Sequence, residues 1–441
     1  MAELHFHPLG EAAGRPLILR NGRVIDPAGK IDAVLDVLVV GEEIAGFRPP
    51  GKSDGLPPDA QDVDCDGKWV LPGLIDMHVH LREPGEEYKE TVQSGTRAAA
   101  AGGFTAVACM PNTRPVNDNQ AVTSLILAKA RTGYARVYPV GAISKESKGE
   151  VLAEYGELKG AGAVAVSDDG RPVANSQLMR RALEYAANHG LLVISHAEEP
   201  ALSQSGVMNE GALATRLGLA GIPRIAEEIM IYRDLALAGY LARPIHIAHV
   251  STREAVDLIR RAKARGCRVT AETAPHYFTL SEEAVGQYDT RAKMNPPLRS
   301  RADVEAIREG LRDGTLDAIA TDHAPHSILE KDVEFDAAAN GIIGLETAVP
   351  LALALVREGV IEPARLVELL ALNPARILGV EGGKLGVGAR ADLTVIDPER
   401  RFAYDSSRVV SKSKNSPFLG WELQGQPVLT VVGGQITCAA L

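Results

Sequence analysis

Eight short apolar runs, separated by stretches with helical periodicity, fill about 300 of the 441 residues of this chain. The first run ends at His78. The others are 105–110, 136–142, 163–167, 191–195, 245–248, 268–272 and 317–321. Helical stretches such as 177–189, 226–238, 252–265 and 347–358 lie between or beyond them. Run interiors are largely apolar, as expected of a parallel sheet covered on both faces. Eight such units predict an α/β fold, a (β/α)8 TIM-like barrel. A doubly wound open sheet is the competitor. No Gly-x-Gly-x-x-Gly follows the first run, which argues against a dinucleotide fold.

The two ends differ from the middle. Runs 17–20, 24–26 and 34–40, punctuated by Gly22, Gly29 and Gly41, are β-like, as are 391–397 and 428–434. Both ends are therefore expected to meet in one small β-sandwich. The expected division is 1–70 for its N-terminal part, 71–378 for the barrel and 379–441 for its C-terminal part.

Charge and composition exclude several classes. Net charge is −10 without a basic stripe, so nucleic acid is not an expected partner. No apolar run reaches the roughly 18 residues of a membrane span. The N-terminus lacks the charged and apolar regions of a secretory signal, so a cytoplasmic location is expected. The four cysteines, Cys65, Cys109, Cys267 and Cys438, are scattered and read as small hydrophobes.

Barrel chemistry sits at the C-terminal ends of the strands. The first strand ends in His78-Val79-His80, and side chains at i and i+2 share a face of a strand. Asp168-Asp169 ends the fourth, His196 the fifth, His249 the sixth and Asp322 the eighth. Four histidines and two carboxylates predict a binuclear metal site that suits Zn²⁺ best, then Mn²⁺ or Co²⁺. Strand parity does not separate Asp168 from Asp169, because the chain is leaving the sheet there. His246, three residues before His249, is expected to face the other side and either to serve packing or to support a metal-site residue from behind. His323 should point away from Asp322. His189 lies near a helix C-terminus, His276 could line the site, and His5 and His7 are expected in a loose tail.

Asp76-Met77-His78-Val79-His80-Leu81-Arg82-Glu83-Pro84-Gly85 and Ala320-Thr321-Asp322-His323-Ala324-Pro325-His326, with Lys331 beyond, resemble the two signatures of the dihydroorotases. These belong to the amidohydrolase superfamily of metal-dependent barrels. Met110-Pro111-Asn112-Thr113, Lys293-Met294-Asn295-Pro296-Pro297-Leu298-Arg299 and Gly344-Leu345-Glu346-Thr347 are also similar to motifs of that family. The likeness spans nearly the whole chain and is closest to the bacterial type I branch. Many relatives bridge their metals with a carboxylated lysine on strand 4. Here the position is acidic, and its place in the motif favours Asp169.

The resemblance implies two Zn²⁺ per chain: His78, His80 and Asp322 on one, His196 and His249 on the other, Asp169 between them. It implies substrate contacts at Arg82, Asn112, Asn295 and His326, and main-chain contacts at Asn340 and Gly341. Those last two positions usually read Phe-Gly in the family, so Asn340 is a departure. The implied reaction is reversible cyclisation of N-carbamoyl-L-aspartate to L-dihydroorotate, in pyrimidine biosynthesis. A metal-bridging hydroxide and Asp322 as general acid and base are the implied agents. A homodimer is expected, and association with aspartate transcarbamoylase is compatible with the resemblance. Hydantoinase and allantoinase are the rival cyclic amidases. The absence of a strand 4 lysine argues against the first, and Arg82 favours a carboxylate-bearing substrate over the second. A purely structural role, as in relatives that have lost their ligands, is disfavoured because every ligand is present. The segment 327–343 is expected to form a mobile lid.

Overall fold

The computed structural model describes residues 4–10, 15–52 and 57–440. Eight parallel strands stand side by side in chain order: β1 Leu74–Val79, β2 Phe104–Cys109, β3 Arg136–Gly141, β4 Ala165–Val166, β5 Leu192–Ser195, β6 Ile245–Ile247, β7 Val269–Thr273 and β8 Ala318–Ile319. The sheet closes on itself just past β8, where Val79 bridges to His323 and His80 N–H donates to the His323 carbonyl at 2.9 Å. The result is the expected (β/α)8 barrel.

Residue size explains how the barrel closes around a site. On β2, Val107 and Cys109 join the large core shared with the helices. Ala106 and Ala108 face the other way and cluster with Ala165, Ile194, Ala248 and Ala318 of other strands. On β2, alternation therefore puts the bulkier side chains outside and alanines inside. Helix starts follow local chemistry. Asn175 caps Ser176–Asn188 by accepting from Gln177 and Leu178 N–H, and Thr252 caps Arg253–Ala264 by accepting from Ala255 N–H.

Both ends of the chain build a second, nine-stranded sheet. Trp69–Pro72 pairs parallel with Leu17–Asp26 and antiparallel with Leu393–Ile396. Its own apolar core includes Leu19, Val24, Val37, Val70, Val395 and Leu429. Thr394 ties it to the barrel, accepting from Leu74 N–H at 3.3 Å and donating to Gly103 O at 2.6 Å.

Two expectations fail here. His5 is not in a loose tail: His5–Phe6 is an edge strand paired with Ala439 and Cys438, and His7 N–H donates to Thr437 O at 3.1 Å. The Phe6 ring, stacked under Arg97 and edge-on to Tyr134, holds that strand down. His246 also does not face away from the barrel. Strand β6 stops at Ile247, so the alternation that separates His246 from His249 ends before it reaches the second residue. No helix among the described residues is long and apolar enough to cross a membrane.

Candidate metal centre

The strand ends converge on one carboxylate. Asp169 Oδ2 lies 3.4 Å from both His78 Nε2 and His80 Nε2. Its Oδ1 lies 3.1 Å from His249 Nε2 and 3.3 Å from His196 Nδ1. Asp322 Oδ1 lies 3.0 Å from His80 Nε2 and 3.6 Å from His78 Nε2. Potential ligand atoms of His78, His80 and Asp322 all fall within 4.8 Å of one another, as do those of Asp169, His196 and His249. Asp168 turns elsewhere and accepts from Ser144 N–H at 3.0 Å.

The backbone leaves its ordinary range to achieve this. Arg82, His249 and Asp322 have φ of 61°, 34° and 48°. Left-handed backbone at a non-glycine residue costs on the order of 1–3 kcal/mol and clusters at functional sites. A bulge in β1, where Asp76–Val79 faces the shorter run Val107–Cys109 of β2, shifts the strand just before His80.

Neighbouring groups fix which ring nitrogen faces the centre. Glu272 Oε1 holds His78 Nδ1 at 2.6 Å, Asn112 Oδ1 holds His80 Nδ1 at 2.8 Å, and Glu198 Oε2 holds His196 Nε2 at 2.9 Å. This is the arrangement that orients metal-ligating histidines. His78 Nε2 is buried without a hydrogen bond, and His196 Nδ1 faces His249 Nε2 at 2.8 Å. Inward-facing nitrogens set against two carboxylates form a donor set that a divalent cation fits.

The electrostatics agree. Burial lowers the His196 imidazole, but Asp169 and Glu198 outweigh it and carry it up to about 10. Burial raises Asp169, yet His78 and the other imidazoles hold it well below the usual carboxylate range. The carboxylates thus draw positive charge to the imidazoles that face the centre.

Beside this centre lies a cavity of about 200 Å³. Arg82, Asn112, Asn295, His326 and Asn340 line it together with His80, Asp169, His196 and Asp322. Arg82 is buried, donates through Nε to Pro325 O at 3.2 Å, and has Nη2 3.3 Å from His326 Nε2. No carboxylate lies within ion-pair distance of it among the described residues. Burial, then the charges of Arg82 and Lys89, press His326 down to about 3, so its ring is neutral. Asn295 Nδ2 donates to Glu198 at 2.9 Å. Gly341 sits behind the wall, where a Cβ would come within 2.7 Å of Ala324 O and 2.8 Å of the His326 ring.

Other histidines have separate tasks. His323 turns from Asp322, facing Glu90 Oε2 at 3.4 Å and accepting from Gly344 N–H at 3.2 Å. His276 is buried near Asp322 and His249 but is not on the cavity wall. Sequence reasoning missed Glu272, Glu198 and the true place of His246, which lies 3.2 Å from Glu272 Oε2 and 2.8 Å from Thr270 Oγ1. A glutamate buried in β7 was the overlooked signal.

The segment expected as a lid is tied down. Ser327 and Glu330 form a capping box on the short helix Ile328–Lys331. Lys331 Nζ donates to Ala339 O at 2.8 Å and Gly341 O at 3.2 Å. Lys293 Nζ donates to Phe335 O at 2.8 Å and Asp336 O at 2.9 Å. Two buried ammonium groups thus satisfy four carbonyls of the same loop.

Comparison with known proteins adds a second line of support. Residues 67–255 match the Dihydro-orotase-like family and residues 220–438 the Amidohydrolase family. The dihydroorotase of Geobacter metallireducens is 59% identical over 421 residues, covering 95% of this chain and 99% of the relative. That of Desulfotalea psychrophila is 60% identical over 419 residues, 95% of this chain and 98% of the relative. Among solved structures, the L-hydantoinase of Arthrobacter aurescens superposes with a TM-score of 0.85 at 25% identity, covering 98% of this chain and 96% of that one. A D-hydantoinase from Thermus sp. gives 0.80 at 24% identity, covering 95% and 94%, and shows the fold alone.

The loop clamp has a pH signature. Lys331 is 3% exposed, and burial, then Lys293, lowers its ammonium to about 7. Lysine in an unfolded chain titrates near 10.4. Between those values the unfolded chain binds the extra proton, so this group makes stability rise with pH from about 7 to about 10. Lys331→Met should flatten that rise in urea unfolding midpoints measured across the range. An unchanged slope would show that Lys331 stays charged in the fold.

Proposed function

The chain belongs to the dihydroorotase family, and from that membership and the paired His/Asp clusters we propose how it works. It catalyses the reversible cyclisation of N-carbamoyl-L-aspartate to L-dihydroorotate in pyrimidine biosynthesis. One observation carries the reading: a single carboxylate, Asp169, presents one oxygen to each pair of histidines, with a buried, carboxylate-free Arg82 lining the same cavity.

Two Zn²⁺ ions would be held by these donors, one by His78, His80 and Asp322 and the other by His196 and His249, with Asp169 near both. When bound, such ions polarise an amide carbonyl and acidify water to a pKa of about 7. The remaining steps belong to the chain. Arg82 binds the substrate carboxylate, for which a guanidinium is a bidentate match. Asn112, Asn295 and His326 orient the ring, with the main chain of Asn340 and Gly341 at its edge. The neutral His326 ring leaves Arg82 the nearby cation for that carboxylate. During ring opening Asp322 takes a proton from the attacking water and gives it to the departing ring nitrogen. During closure it takes the proton from the attacking ureido nitrogen and returns it to the leaving oxygen. The same reading implies a cytoplasmic homodimer able to associate with aspartate transcarbamoylase.

The solved neighbours' names suggest ring opening of a hydantoin instead. A hydantoin ring carries no carboxylate, which would leave Arg82 buried without a task. Arg82→Ala decides between them. It should raise KM for dihydroorotate by about 100-fold with a smaller change in kcat. An unchanged KM would remove the carboxylate clamp.

The direct test is hydrolysis of dihydroorotate by the metal-loaded protein. Turnover should disappear on chelation and return with Zn²⁺. No turnover with both sites filled would overturn the proposal. Asp322→Asn should lower kcat by at least about 10³-fold, the scale of lost proton transfer. Near-parental kcat would end its role as acid and base.

A further inference from the structure

A strap of chain between the strands Leu393–Tyr404 and Trp421–Val432 leaves the terminal sheet and crosses to the mouth of the barrel. Val410 and Ser411 N–H groups donate to Glu346, and Ser413 Oγ donates to Lys89 O at 2.7 Å. At its centre is Asn415, 4% exposed. Its Nδ2 donates to Ala324 O at 2.9 Å and to Gly341 O at 3.0 Å. Its Oδ1 accepts from His326 N–H at 3.0 Å. Its own carbonyl accepts from Ile343 N–H at 3.0 Å.

These contacts bracket the residue that orients Arg82. Ala324 and His326 flank Pro325, whose carbonyl accepts from Arg82 Nε, and the His326 ring meets Arg82 Nη2. Arg82 has a left-handed backbone, and its side chain takes its direction from these two partners. Asn415 holds both sides of that support. It also joins it to Gly341 on the opposite loop.

The chemistry of the amide matters. Both hydrogens of Nδ2 and one lone pair of Oδ1 are used, by two carbonyls and one N–H. Leucine has the shape without the polarity and would strand two buried backbone groups, Ala324 O and His326 N–H, while Gly341 O keeps Lys331 Nζ. Aspartate would set a carboxylate against two carbonyl oxygens.

We propose that Asn415, supplied by the terminal β domain, is a positioning residue that sets Arg82 for the substrate carboxylate. The inference rests on the reading of Arg82 as that clamp. It gives the second domain a part in recognition without contact to substrate.

The test is steady-state ring opening of dihydroorotate by the parent, Asn415→Leu, Asn415→Ser and Ser413→Ala, with metal content and thermal midpoint measured on each. Ser413→Ala loosens the strap elsewhere and should keep the parental KM. The Asn415 variants should raise KM by about tenfold or more, keep kcat within about threefold, and retain parental metal content. If Asn415→Leu does not fold, Asn415→Ser carries the comparison. Parental KM in a folded Asn415 variant overturns the inference, as does a KM rise matched by Ser413→Ala. A metal-loaded parent inactive toward dihydroorotate overturns the functional reading and this inference with it.

Discussion

Closure of the barrel between its first and last strands is the constraint on which the site depends. Asp76 is the latch. Its carboxylate accepts from Thr321 N–H at 3.1 Å and Thr321 Oγ1 at 2.5 Å, and from His78 N–H at 3.1 Å. Burial pushes this carboxyl up to about 7, against the pull of those donors. One buried group thus joins residues 245 positions apart. It sets His78 and His80 beside Asp322, so one of the two His/Asp clusters exists only in the closed barrel.

The other half depends on short strands. β4, β5 and β6 stop before Asp169, His196 and His249, which lie beyond the strand ends and form the second cluster. This is why pattern reading picked out residues that the fold brings together but placed His246 on the wrong face. Positions such as His196 and Asp322 were legible because strand ends in a barrel are legible: an apolar run stops and a histidine or aspartate follows. His246 was not, because period-2 alternation holds only while the strand lasts.

What the sequence concealed is what acts over long distances in the chain. Glu272 reads as an isolated charge until His78, 194 residues away, is placed against it. The 327–343 segment has the length and composition of a lid. Lys293 and Lys331, whose burial no local pattern announces, bind its carbonyls. Asn415 lies in a polar stretch with no chemical signature, and its importance comes from three backbone groups in two distant loops. The likeness to a known family supplied the choice of Asp169 over Asp168, which periodicity left open, and the geometry sets Asp169 among both histidine pairs.

The terminal sheet places a timing constraint on biosynthesis. Trp69–Pro72 needs Leu393–Ile396 as its neighbour, and that partner is made about 320 residues later. At ribosomal rates this is roughly 15 to 60 s of waiting. Through that interval the nascent chain carries an uncovered apolar strand edge, a template for pairing with other chains. The β domain is therefore the last unit completed although its first strands are among the first made.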